Sequence, residues 1–120
     1  MSLIFVFGSN LAGRHGMGAA QHAFAFHGAV WGQGRGFHGR SYAIPTKDHR
    51  LRVLPLSSIA AEVGLFLEFA KAHPELEFQV TEIGTGLVGY PTAAIASFFK
   101  DHPANCHLPA EFSEWIRSKS

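Results

Sequence analysis

The run Leu3-Ile4-Phe5-Val6-Phe7-Gly8-Ser9-Asn10-Leu11-Ala12-Gly13-Arg14-His15-Gly16-Met17-Gly18 decides the fold. Five consecutive apolar residues, Leu3 to Phe7, rich in β-formers, are stopped by Gly8-Ser9-Asn10. Uninterrupted apolarity predicts a strand covered on both faces, because a half-solvated strand alternates. The glycines that follow permit tight turns and close approach of a ligand to peptide N–H groups. Beyond them Gly18 to His27 is alanine-rich and predicts a helix ending near Gly28. Its start supplies N–H donors with no partner inside the helix and a positive potential suited to phosphate oxygens.

Working outward, strand and helix signals alternate. Ser41 to Pro45 predicts a strand followed at once by Thr46-Lys47-Asp48, and Leu51 to Leu54 a shorter pairing segment. Ile59, Val63, Phe66 and Ala70 form an apolar stripe at helical spacing, closed by Pro74. Ser57 or Ser58 is the expected cap of that helix, with Glu62 in its first turn. Phe78 to Ile83 predicts a strand, Pro91 the first turn of a helix to about Lys100, Asn105 to Leu108 a short strand, and Pro109 to Arg117 a last helix. Glycines 32, 34, 36 and 39 read as a flexible or tightly turning excursion. This order predicts a compact three-layer α/β fold, a mixed central sheet with helices on both faces. Loops after parallel strands then gather at one end of the sheet.

The 120 residues make one domain, and a chain 47% hydrophobic and only 16% charged is not expected to be disordered. A net charge of +1 predicts neither broad nucleic-acid steering nor attraction to a membrane surface. The hydrophobic start lacks a basic region and reads as a strand, not as a secretory signal. With a single cysteine, this favours a cytoplasmic protein. Cys106 reads as a core residue on a strand, as Phe5 and Phe7 do. His22, His27, His38 and His49 lack metal-ligand spacing, and the reading calls for no metal and no cofactor.

Two loops carry the functional signal. The first is Gly8 to Gly18, where Gly8, Ser9, Asn10, Gly13, Gly16, Met17 and Gly18 are candidate ligand-binding residues. It is neither a phosphate loop of the GxxxxGK type nor a GxGxxG fingerprint. The second is Gly84-Thr85-Gly86-Leu87-Val88-Gly89-Tyr90, whose Gly84 and Gly86 expose backbone donors, with Thr85 adding a hydroxyl. Lys47 is a candidate nucleophile or phosphate ligand, while Asp48, Glu82 and His15 are candidates to assist water or orient that amine. Competing readings are nucleic-acid binding, through a cluster of Arg35, Arg40, Lys47, Arg50 and Arg52 with aromatics to stack bases, and an oligomer interface at the glycine-rich 32–39 segment.

At the two loops and Lys47 the chain resembles the macrodomain family, which recognises ADP-ribose, in a compact form like those of bacteriophages and bacteria. Asn10 to Ala19 resembles that family's first binding segment, and Gly84 to Tyr90 its phosphate-embracing loop. The resemblance implies that Asn10 orients a ribose, that Gly84 to Leu87 surround a diphosphate, and that Val88 and Tyr90 shape an apolar edge. Partners implied are ADP-ribose, a related nucleotide, or an ADP-ribosylated macromolecule. Tyr42-Ala43-Ile44-Pro45-Thr46-Lys47 is similar to the branch that removes ADP-ribose from acidic side chains. That branch has an aspartate after the leucine where this chain has Val88. Glu82 and Asp48 are the carboxylates that stand nearest in sequence to the two motifs.

Overall fold

In the computed structural model, which describes residues 3–119, five strands form one sheet in the order β2-β3-β1-β4-β5. They are β1 (Leu3–Asn10), β2 (Gly36–His38), β3 (Ser41–Lys47), β4 (Glu77–Val80) and β5 (Cys106–His107). The β3-β1-β4-β5 pairings are parallel, and β2 is an antiparallel edge. The helices are α1 (Gly18–Phe26), α2 (Leu56–Ala72), α3 (Thr92–Ala96) and α4 (Ala110–Ser118), with a single 3-10 turn Ser97–Phe99 after α3. The Cα radius of gyration is 13.1 Å, the value a chain of this length gives when tightly folded.

The apolar run of β1 sorts by parity. Ile4 and Val6 join Tyr42 and Ile44 of β3 in a large core with Ile59, Val63, Phe66 and Ala70 of α2. Those four are the helical stripe read from sequence, and all are fully buried. Phe5 and Phe7 point the other way, into a smaller core with Ala20, Ala23, Ala29 and Ala43. Large rings from the strand meeting alanines from the helix let α1 approach the sheet closely. The result is a mixed α/β fold with helices against its central sheet, and β1 buried in the middle as its composition requires.

Several boundaries differ from expectation, each for a local reason. The Gly32–Gly39 excursion contains strand β2, whose three residues pair with Ser41–Ala43 of β3. Its glycines hid the strand signal. The α2 cap is Pro55, not Ser57 or Ser58, and no side chain caps the helix. Proline's fixed φ suits the turn into a helix, so α2 starts at Leu56. Glu62 therefore lies in the second turn, where it pairs with Arg35. Pro91 caps α3 from outside, and β4 stops at Val80, leaving Ile83 buried beyond its end. The Leu51–Leu54 segment pairs only through a Lys47–Val53 bridge.

Asn105 ties α2 to the sheet. Its Nδ2 points at the carbonyls of Ala70, His73 and Leu76 at 3.1, 3.1 and 3.0 Å, while its own carbonyl accepts from Phe78 N–H at 2.8 Å. Asn105→Ala should cost about 1–3 kcal/mol in urea unfolding, because buried carbonyls lose their donor. Asn105→Asp, which sets an anion against three carbonyls, should cost more. Equal stability of both variants and wild type would contradict this role.

Candidate functional site

The carboxyl ends of β1, β3, β4 and β5 open onto one cleft of about 1300 Å³, larger than many small-molecule sites. β1 supplies Gly8, Ser9 and Asn10, β3 supplies Thr46 and Lys47, and the segment after β4 supplies Thr81 to Gly84, then Gly86, Leu87 and Val88. Gly16, Met17 and Gly18 line it from the first loop. Parallel strands with connections leaving the same end bring these distant segments together.

The first loop is folded by its own asparagine. Asn10 Nδ2 donates to the Arg14 carbonyl and Arg14 N–H donates to Asn10 Oδ1, both at 2.9 Å. Gly13 N–H closes the same turn on the Asn10 carbonyl at 2.9 Å. Asn10 is thus first a loop clamp, with one amide hydrogen and one lone pair left over for a ligand. The turn is anchored on Lys47, whose carbonyl accepts from Leu11 N–H at 3.0 Å, and Asn10 and Lys47 are register partners. Gly13 itself faces away from the cleft and packs on Gly32. At Met17 the chain is extended, with no side-chain cap on α1, and Gly18 follows at φ 57°. The uncapped first-turn amides of α1 adjoin the cleft, which Gly18, Ala19 and Ala20 line.

The second loop is braced from behind. Gly84 is at φ 78°, and its carbonyl accepts from Tyr90 N–H at 3.0 Å. Tyr90 Oη donates to the Leu54 carbonyl at 2.7 Å, and Thr85 Oγ1 to the Glu82 carbonyl at 3.2 Å. Thr85, Gly89 and Tyr90 therefore support the loop and do not line the cleft, unlike Gly84, Gly86, Leu87 and Val88. Tyr90 is a strut to the Leu51–Leu54 segment, not an edge of the cleft. No atom lies within 4 Å of a Cβ built on Gly86, so this turn is open to an incoming group.

The candidate catalytic residues separate. Lys47 is half-buried in the cleft, and no ion pair engages its amine among the described residues. Asp48 is outside it: its carboxylate accepts from Arg52 N–H at 2.9 Å, Arg50 N–H at 2.8 Å and Arg52 Nε at 3.1 Å. Those bonds, the Arg52 N–H foremost, hold its pKa below the usual carboxylate range. An anion so fully used by its own turn is a poor base for the cleft. His15 is also outside, 1% exposed, with Nε2 on the Val30 and Gln33 carbonyls at 2.9 and 3.1 Å. A donor to two carbonyls is a clamp, and this one fixes the chain that carries Trp31. Glu82 does line the cleft, and its carboxyl interacts with that of Glu111 of α4. The interaction with Glu111, hydrogen bonding first and its charge second, raises the Glu82 pKa, and the same interaction lowers that of Glu111.

Sequence reasoning missed Arg14, Trp31, Leu51, Gln79, His107, Leu108 and Pro109, all of which line the cleft. Leu108 and Pro109 follow a strand as the two loops do, and that position was the available signal. Trp31 and Leu51 carried none. Leu51 forms the tip of the turn held by Asp48, at φ 62°.

Cys106 is buried on β5, and desolvation, then Glu77, pushes its thiol up to about 11. Native protein at pH 8 should therefore react with a disulfide reagent at least about tenfold more slowly than unfolded protein. Equal rates would place this thiol in solvent. Two of the five cations of the nucleic-acid reading are paired, Arg35 with Glu62 and Arg52 with Asp48. Among the described residues no cluster of three or more His, Cys, Asp or Glu is arranged to hold a metal ion. Nor is any helix among them long and apolar enough to cross a membrane.

These features define a mixed α/β domain with a glycine-walled, largely apolar cleft at the carboxyl ends of its parallel strands. Compared with known proteins, the chain matches no family model, no curated protein and no solved structure.

Proposed function

We propose that the chain binds ADP-ribose, or a closely related ADP-ribosyl nucleotide, through a macrodomain-like arrangement of its two glycine-rich loops. One observation carries this reading. The uncapped start of α1 and the Gly84, Gly86, Leu87 and Val88 positions of the second loop line a single cleft. A diphosphate between them receives N–H groups from both sides and the positive end of the α1 dipole. Arg14 and Lys47 add positive charge at the rim, and the net charge of +1 leaves selectivity to this local arrangement. Asn10 shapes the first loop and presents its remaining amide hydrogen to a ribose hydroxyl.

A second reading, removal of ADP-ribose from a macromolecule, is favoured by the unpaired Lys47 amine beside Asn10. It lacks a carboxylate at Val88. Glu82, which lines the same cleft, is the carboxylate available for that role. In this reading Lys47→Ala lowers turnover of an ADP-ribosylated peptide far more than it weakens ADP-ribose binding.

Calorimetry with ADP-ribose, ADP, AMP and ribose tests the binding reading. ADP-ribose should bind saturably and more tightly than the fragments, and Asn10→Ala should weaken it about tenfold or more by opening the 10–14 turn. Absence of binding to folded protein at millimolar ADP-ribose would contradict it.

A further inference from the structure

The chain from Ala29 to Gly36 is fastened to the first loop along its length. Gly32 N–H donates to the Gly13 carbonyl at 2.9 Å, Ser9 Oγ to the Gly34 carbonyl, and His15 Nε2 holds Val30 and Gln33. A Cβ on Gly13 would lie 2.2 Å from the Gly32 carbonyl carbon, so the two backbones are in direct contact. This fastening holds Trp31 at the mouth of the cleft. Its ring meets His15 at 6.2 Å and Phe24 at 5.6 Å, both edge-on, yet Trp31 stays 53% exposed. An indole fixed in place and left half open is a stacking surface whose ordering cost is already met by the fold.

Its position in the topology says which part of a ligand it meets. The segment bearing Trp31 leads into β2, which pairs with β3, the strand that ends at Lys47. Trp31, Leu51 and Lys47 are therefore at the β3 end of the cleft, while Gln79, Leu108 and Pro109 are at the β4–β5 end. Trp31 stands against the first glycine loop, its Cη2 4.0 Å from a Cβ built on Gly16, and the same segment passes against Asn10, the register partner of Lys47. We infer that Trp31 is a specificity-determining residue which stacks on a planar group attached to the anomeric carbon of the ligand's terminal ribose, so that the site prefers aromatic ADP-ribose conjugates to free ADP-ribose. The inference rests on the binding reading above, with the terminal ribose directed toward Lys47. Leu51 at the same end, 41% exposed, adds apolar surface and no charge that would oppose a neutral ring.

The test compares ADP-ribose with its neutral 1″-phenyl glycoside, both anomers, by calorimetry on the full chain. Wild type should bind one anomer about fivefold or more tightly than ADP-ribose, the gain expected of one aromatic stack. Trp31→Ala should remove that preference while changing ADP-ribose affinity less than about twofold. Trp31→Phe, which keeps a ring against His15 and Phe24, should retain part of it. In a Trp115→Phe background Trp31 is the remaining tryptophan, and its emission should change with the glycoside more than with ADP-ribose. Tight ADP-ribose binding with no glycoside preference, or a preference that survives Trp31→Ala, overturns the inference and leaves the binding reading standing. Binding of neither ligand overturns both.

Discussion

Gly34→Ala is expected to lower stability by about 2–4 kcal/mol and to weaken ADP-ribose binding about tenfold or more. A Cβ on Gly34 would lie 1.9 Å from the Asn10 carbonyl oxygen and 2.8 Å from its carbon. Both are backbone atoms at the end of β1, so no side chain can swing aside, and overpacking of this kind costs kcal/mol. Parting the two chains also breaks the Ser9 Oγ bond to the Gly34 carbonyl and strains the Gly32–Gly13 bond. The same Asn10 carbonyl accepts from Gly13 N–H, so the displacement is transmitted directly to the first loop. Denaturant unfolding reads the first effect, and calorimetry under folding conditions reads the second. A variant with wild-type stability and affinity would show that the Ala29–Gly36 segment does not shape the site.

Phe66→Ala should be costlier to the fold and harmless to the site. Phe66 is fully buried between α2 and the sheet, with Tyr42 at 5.0 Å and Phe78 at 5.3 Å, both in edge contact. Its truncation opens a cavity on the face opposite α1, and such changes cost about 3–5 kcal/mol. For a domain of this size that is a fall in Tm of roughly 10–25 °C. Since no residue of α2 lines the cleft, the fraction that remains folded should bind ADP-ribose with wild-type affinity. The pair of variants thus separates stability from function: Gly34→Ala alters both, Phe66→Ala only stability. Weakened affinity in folded Phe66→Ala would mean that the large core and the cleft are coupled.

How much of this was legible in the sequence depended on the kind of signal. Buried periodicity was readable: Ile59, Val63, Phe66 and Ala70 all lie in the core, and Leu3–Phe7 begins the central strand. Each loop was placed at a strand's carboxyl end because glycine and asparagine cluster after apolar runs, and these loops do meet in space. What escaped was tertiary. β2 is three residues with a glycine at its start, and it exists because Ser41–Ala43 offers it a partner. Asp48 looked available for chemistry, but the positive-φ turn at Leu51 brings two backbone amides onto its carboxylate. His15, in the middle of the glycine loop, looked equally available, yet the return of the chain at Val30–Gln33 buries it. Trp31 reaches the cleft by that same return, through contacts more than a dozen residues distant in sequence.

The most direct test of the central claim is to titrate 15N-labelled protein with ADP-ribose and follow its amide resonances. The account predicts saturable shifts concentrated at Gly16–Ala20 and Gly84–Val88, with Lys47 and Asn10 following and the amides of mid-α2 unmoved. Shifts gathered on another face of the sheet, or an unchanged spectrum of folded protein at millimolar ADP-ribose, would contradict it.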